Sequence, residues 1–282
     1  MNFVFSSCGN DSVALLQWAI ENLNKAEKMY LIYSNTGWAE PDWHKRVNEV
    51  KNYAELFDIE FVEIHSEGME HLVRRKKNWP MAADKMQFCT GELKIRPAKI
   101  WMDQIDPEKK AVCFVGLRKE KSKSRKNLPA YIKKSNRQGN RRVCFPIRDH
   151  KEAERNELVL KTGLKVLKHT SDECFPCVCF DKSDFIRLSK YPELIDKISI
   201  IEKKMGFTCN NKPRVMFRPY QHLGAIGIKE VIKWALTGRG RYKVECTASP
   251  GSVRFKKIKQ SRAYLWVGEK LKFACQLIKF GR

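Results

Sequence analysis

Three groups of residues in this chain have the types and spacing to do chemistry. The first is Ser6-Ser7-Cys8-Gly9-Asn10-Asp11-Ser12, where the apolar run Phe3-Val4-Phe5 gives way to Val13-Ala14-Leu15-Leu16-Gln17-Trp18, whose spacing reads as a helix. Small residues let backbone N–H groups approach an anion, and Asp11-Ser12 are placed to cap a helix whose positive dipole end faces the same anion. A small-residue turn between strand and helix is also an ordinary βα connection, so the loop alone fits both phosphate binding and plain structure. The second group is Arg118, Ser122 and Arg125. A guanidinium presents a planar fork suited to phosphate or sulfate oxygens, and a serine adds one more donor, although a solvated basic loop has the same composition. The third group is Cys174-Phe175-Pro176-Cys177, which has metal-ligand spacing but supplies only two of the four thiolates that a closed zinc or iron–sulfur site needs.

The first two groups need a scaffold that brings them together. Met29–Tyr33 is a short buried-strand pattern ending in Ser34-Asn35-Thr36-Gly37, a helical stretch runs from about residue 41 to 57, and Ile59–Ile64 reads as a third strand. Ala111–Val115 makes a fourth strand and delivers Gly116-Leu117-Arg118. This alternation predicts an α/β fold, a doubly wound parallel sheet with helices on both faces, whose ligands lie at the carboxyl ends of the strands. Three strand exits then converge on one site. Past Pro146 the pattern turns helical around a cysteine cluster, and from about Gly238 apolar and basic residues alternate around Ser249-Pro250-Gly251, a small basic β-rich C-terminal appendage. The expected organisation is a nucleotide-binding domain over 1–165, a cysteine-containing helical segment over 166–237 and the appendage over 238–282.

With 282 residues, 43% of them hydrophobic, the chain can bury a full core, and no apolar run is long enough to cross a bilayer. No charged-then-apolar leader precedes the first strand, so a cytoplasmic protein is expected. Ten cysteines then read as reduced thiols or metal ligands rather than a disulfide framework. The net charge of +23 is concentrated: residues 118–142 hold eleven Lys/Arg against Glu120, and residues 236–282 hold twelve against Glu245 and Glu269. Such concentration favours a polyanionic partner over an evenly solvated basic surface.

The loop Ser7–Ser12 resembles the Ser-Gly-Gly-x-Asp-Ser loop of the PP-loop superfamily, which includes ATP pyrophosphatases and phosphoadenylyl-sulfate (PAPS) reductases. Asn35-Thr36-Gly37 is similar to the Asp-Thr-Gly of PAPS reductase-like proteins, and Gly116-Leu117-Arg118 with Ser122 and Arg125 to their Gly-x-Arg-x-x-x-Ser-x-x-Arg segment. Cys89-Thr90-Gly91-Glu92-Leu93-Lys94-Ile95-Arg96-Pro97 matches a Cys-Thr-x-x-Leu-Lys-x-x-Pro stretch, and Pro146-Ile147 and Cys174–Cys177 complete the order. The resemblance covers roughly residues 1 to 210. It implies ATP or PAPS as the bound nucleotide, with Ser7, Gly9, Asn10, Asp11, Ser12, Thr36, Gly37, Arg118, Ser122 and Arg125 around it. Asp11, Ser12 and Arg118 would be catalytic, and Asp11 would hold Mg²⁺. It also implies Cys89 as a third ligand beside Cys174 and Cys177, for an iron–sulfur cluster of the 4Fe–4S kind or for zinc. Cys179 is the nearest fourth ligand in sequence, while Cys209 follows a helix able to return it and is preferred.

Departures from the family pattern bear on activity. Cys8 stands for the first glycine, Asn10 for a frequent lysine, Asn35 for an aspartate, and Phe88 for the first of a paired Cys-Cys. The preferred function is ATP cleavage between the α and β phosphates to activate or thiolate a nucleic acid, DNA or tRNA, with a sulfur-donor protein as partner, as in DNA phosphorothioation systems. A PAPS reductase comes second, because the chain ends Leu277-Ile278-Lys279-Phe280-Gly281-Arg282 without the Glu-Cys-Gly-type tail that resemblance would require. The third reading is a nucleotide- and nucleic-acid-binding module that has lost catalysis.

Overall fold

A computed structural model describes residues 1–81, 87–122, 125–217 and 226–238. The described residues form one six-stranded sheet in the order β3-β2-β1-β4-β6-β5. Strands β1 (Asn2–Ser6), β2 (Met29–Asn35), β3 (Glu60–His65), β4 (Val112–Val115) and β6 (Arg141–Cys144) run parallel, and β5 (Tyr131–Ser135) is antiparallel to β6. In β1, Phe3 and Val4 are both fully buried, as a strand covered on both faces requires. Phe3 pairs in register with Tyr30 on one side and Cys113 on the other.

Alternate residues feed two cores. Val4, Leu31 and Tyr33 pack with α1 (Asn10–Asn22), α2 (Trp43–Glu55) and α5 (Glu152–Lys161), whereas Phe3, Tyr30 and Ile32 pack against Ala98 and Met102 of α4 (Arg96–Ile105). The doubly wound α/β architecture expected from sequence is therefore present. Because β2 and β4 lie on opposite sides of β1, the connections leaving β1 and β4 diverge, and their carboxyl ends frame the crevice where such sheets bind ligands. A third core joins α3 (Met69–Lys76) to α6 (Lys182–Leu188), α7 (Pro192–Met205) and α8 (Ile228–Ala235), and it takes in Trp38, Trp79 and Leu93. The cysteine-bearing helical segment thus shares its core with residues from the first 165. Among the described residues no helix is long and apolar enough to cross a membrane. The expected β-rich appendage lies outside the described residues.

The β5–β6 hairpin overlaps the end of the first basic stretch, and its charge is partly structural. Arg141 is fully buried: Nε donates to Asp106 Oδ2 at 2.7 Å, Nη1 to Asp103 Oδ1 at 2.7 Å, and Nη2 to Met102 O at 2.8 Å. Burial would raise the Asp106 carboxyl, but the Arg141 hydrogen bond and two backbone N–H groups outweigh it and hold the pKa below its ordinary value. Gly139, at φ +63°, lets the turn close over this group, since a Cβ there would sit 2.7 Å from Arg141 Nη1. Replacing Arg141 by Leu strands a buried carboxylate, so a loss of about 3–5 kcal/mol is expected in urea unfolding. A loss below about 1 kcal/mol would show that the pair does not hold the hairpin to α4.

Candidate functional site

The chain leaves β1 through Cys8, which is fully buried at φ 57°, the left-handed conformation that a glycine would adopt more cheaply. Its N–H donates to Ser6 Oγ at 3.0 Å and its carbonyl accepts from Arg46 Nε at 3.3 Å, so the backbone at this position is held from both sides. Burial pushes the Cys8 thiol up to about 12, with Ser6 opposing, so it packs as a protonated small apolar group. Gly9 has no room for a side chain, because a Cβ would meet Ser171 Cβ at 2.7 Å.

Helix α1 starts earlier than the sequence suggests. Asp11-Ser12 do not cap it: the cap residue is Gly9, without a side-chain bond, and both lie inside the first turn. The reason is Asn10, whose Nδ2 donates to Leu167 O at 2.8 Å while its Oδ1 accepts from Leu167 N at 2.9 Å. The Asn10 side chain thereby clamps the segment after α5 over the loop. Ser12 Oγ donates to Gly9 O at 2.9 Å and lies 3.4 Å from Ser7 Oγ.

Asp11 is the centre of the site. Its Oδ1 accepts from Arg118 Nε at 2.9 Å and from Arg155 Nη1 at 3.1 Å, and Lys121 Nζ stands 3.7 Å from Oδ2. Gly116 permits this approach, because a Cβ there would sit 2.8 Å from the Asp11 carbonyl oxygen. Both guanidiniums are buried, Arg118 at 2% and Arg155 at 3% exposure. Their outer nitrogens reach Glu120 Oε2 at 2.6 Å and Glu152 Oε1 at 3.0 Å, carboxylates that are 52% and 70% exposed. Arg155 Nε is buried and has no hydrogen-bond partner among the described residues. Two buried guanidiniums whose outer partners are solvated acids can exchange those acids for a ligand's oxyanion at small cost. Sequence reasoning missed Arg155. Its signal was weak, an arginine on a polar helix 144 residues from Asp11.

The other expected contacts are spread around this centre. Thr36 is buried, its hydroxyl donates to Glu173 O at 2.8 Å, and Cys174 Sγ lies 3.6 Å away, so Thr36 ties the cysteine segment to the β2 exit. Gly37, at φ +62°, donates its N–H to Asn35 Oδ1 at 2.9 Å. Ser122 and Arg125 are joined by Arg125 N donating to Ser122 O at 3.0 Å.

The described residues assemble no site for either implied metal. Asp11 already accepts from two guanidiniums beside an ammonium, a poor setting for Mg²⁺. Among the described residues no group of three or more His, Cys, Asp or Glu is placed to hold a metal ion. Cys89 and Cys174 are buried, Cys177 and Cys179 partly so, and Cys209 is exposed with Sγ 3.7 Å from Asn210 Oδ1. Burial, then the charge of Cys174 and Cys177, pushes Cys89 up to about 12. Burial also pushes Cys174 up to about 11 against the opposing charge of Lys94. Lys94 itself pairs with Glu173 at 2.5 Å.

The covering segment is anchored by Asp172, which accepts from Arg187 through both oxygens, at 2.5 and 2.8 Å, and from His169 Nδ1 at 2.9 Å. The Asp172 bond raises the His169 pKa above its ordinary 6.5. The stability it contributes is therefore present below that value and lost as pH rises through the raised folded pKa. The melting-temperature difference between wild type and His169→Gln should shrink from about pH 6 to 8. A constant difference would remove the imidazolium from the anchor. Thiol accessibility gives a second expectation: iodoacetamide at neutral pH should modify Cys209 before Cys8, Cys89 and Cys174 in peptide mapping. Equal rates would contradict the burial described.

The model of the phosphoadenosine phosphosulfate reductase domain matches residues 1–174 of the chain. Among matching solved structures is the crystal structure of a phosphoadenylyl-sulfate (PAPS) reductase from Candida auris in a phosphate complex. It is 12% identical with a TM-score of 0.42, and the match covers 61% of this chain and 81% of that one. No curated protein matches.

Proposed function

From a chain that belongs to the phosphoadenosine phosphosulfate reductase domain family, we infer an adenine-nucleotide site in the crevice between the carboxyl ends of β1 and β4. The observation that carries this reading is the pair of buried guanidiniums, Arg118 and Arg155, closed on Asp11 beside Lys121 at the start of α1. In the nucleotide complex Arg118 and Arg155 turn their outer N–H groups from Glu120 and Glu152 to phosphate oxygens, and Asp11 keeps the two forks oriented. The first-turn amides of α1, with Gly9 rather than a side chain as cap, face the same charge.

With ATP, the acceptor attacks the α-phosphorus, the α–β bridging bond breaks and pyrophosphate leaves. Arg118, Arg155 and Lys121 stabilise the charge that builds on the leaving oxygens. The acceptor is a nucleic acid, in keeping with the net charge of +23. A second reading, a sulfonucleotide such as PAPS, is favoured by one observation: Asp11 is ringed by cations rather than by further carboxylates, which suits an anion bound without Mg²⁺.

Arg118→Ala and Arg155→Met should each weaken nucleotide binding by about 1.5–3 kcal/mol, the worth of a charge-assisted hydrogen bond, with the fold retained. Titration calorimetry with ATP and with PAPS reads this, and pyrophosphate release with and without DNA or RNA separates the two nucleotides. Unchanged affinity for both nucleotides in both variants would remove the crevice as their site.

A further inference from the structure

Away from the sheet edge, a cavity of about 260 Å³ opens between the ends of α3 and α7, lined by Arg74, Lys77, Ile201, Lys204, Met205 and Arg214. Four of the six are cations drawn from three separate stretches of chain, and the lining contains no acid. Arg74 is compensated by Glu70, whose Oε1 accepts from its Nη2 at 2.7 Å. The other three have no acidic partner among the described residues. Lys77 and Lys204 are exposed. Arg214 spends one nitrogen on carbonyls at and just past the end of α7, donating from Nη1 to Met205 O at 3.3 Å and to Phe207 O. Lys77 ends α3 at φ 50°, a left-handed position where glycine or asparagine is the cheaper choice.

Three uncompensated cations around one cavity repel each other, and an anion seated among them removes that cost. The cavity also has features that a bare inorganic anion would not use. Its floor is apolar, with Ile201 at 2% exposure beside the Met205 thioether, and Phe207, whose carbonyl accepts from the lining Arg214, is 60% exposed. Its volume falls short of the ~300 Å³ typical of an enclosed small-molecule pocket, which suits one unit of a longer chain passing over it. Cations that track a backbone, together with an aromatic face beside them, are the means by which proteins hold single strands.

We propose that this cavity binds single-stranded nucleic acid, with Lys77, Lys204 and Arg214 pairing with backbone phosphates and Phe207 stacking on a base. The site is separate from the nucleotide crevice and does not depend on nucleotide binding there, although it would supply the acceptor that the proposed function requires.

The test is fluorescence anisotropy of labelled oligothymidylate and oligouridylate of about 15 nucleotides with the full chain and no mononucleotide, over a salt series. Replacing Lys77 and Lys204 together by Gln should weaken binding at least about tenfold at low salt and make the slope of log affinity against log salt shallower by about 1.4. Phe207→Ala should weaken binding by about fivefold or more and leave the slope unchanged. A control with Gln at Lys25 and Lys109, exposed lysines ahead of β2 and β4, removes the same charge elsewhere and should stay near wild type. Wild-type affinity and slope in the cavity variant overturn the proposal, as does absence of oligonucleotide binding by the wild type. An equal loss in the control overturns it too, since that would be an effect of net charge. Displacement of the oligonucleotide by inorganic phosphate at matched phosphate concentration would make this a small-anion site and would also overturn it. Failure of the nucleotide reading leaves all of these outcomes readable.

Discussion

The Asp11 carboxylate, held between two buried guanidiniums, is the interaction on which the organisation of the site depends. Arg118 comes from the exit of β4, Arg155 from α5 and Asp11 from the first turn of α1, so one carboxylate joins three elements at the point where the strand order reverses. An unpaired buried guanidinium would be costly, and Asp11 supplies the charge that lets both stay in place. The same carboxylate leaves each fork with outward-facing donors, which rest on exposed glutamates. This arrangement is preorganised toward oxyanions and is correspondingly unsuited to a divalent cation at Asp11.

Close packing around that centre explains why particular positions are small. Gly116 admits the Asp11 carbonyl, Gly9 admits Ser171, and Cys8 takes a left-handed turn while filling the core beneath. The segment that lies over the loop is fixed by Asn10 on Leu167 and by Asp172 with Arg187 and His169. The loop substitutions that looked like losses from a family pattern thus have structural uses here. The Asn10 side chain gains two hydrogen bonds to backbone, and Cys8 gives up glycine's freedom and gains burial.

Much of the sheet was legible in the sequence because its signals are local. Uninterrupted apolar runs at 3–5, 29–33 and 111–115, each followed by a small residue, correspond to β1, β2 and β4 and to their convergent exits. The start of α1 was misread because Asn10 is held by a residue 157 positions away, which no local capping pattern records. Arg155 was missed for the same reason. The β5–β6 hairpin was hidden in a basic stretch, since Arg141 looks like any surface cation until its two aspartates and its carbonyl partners are placed around it. Of the four candidate thiols, Cys209 is exposed, while Cys89 and Cys174 are buried and Cys89 feels the charge of Cys174 and Cys177.

The central claim is that the cations around Asp11 bind the phosphates of an adenine nucleotide. The most direct measurement is a crystal structure of the chain with ATP or PAPS bound. The account predicts phosphate or sulfate oxygens within hydrogen-bond distance of Arg118 and Arg155, with Glu120 and Glu152 displaced into solvent and Asp11 still between the two forks. A nucleotide bound elsewhere, with both guanidiniums still paired to those glutamates, would contradict it.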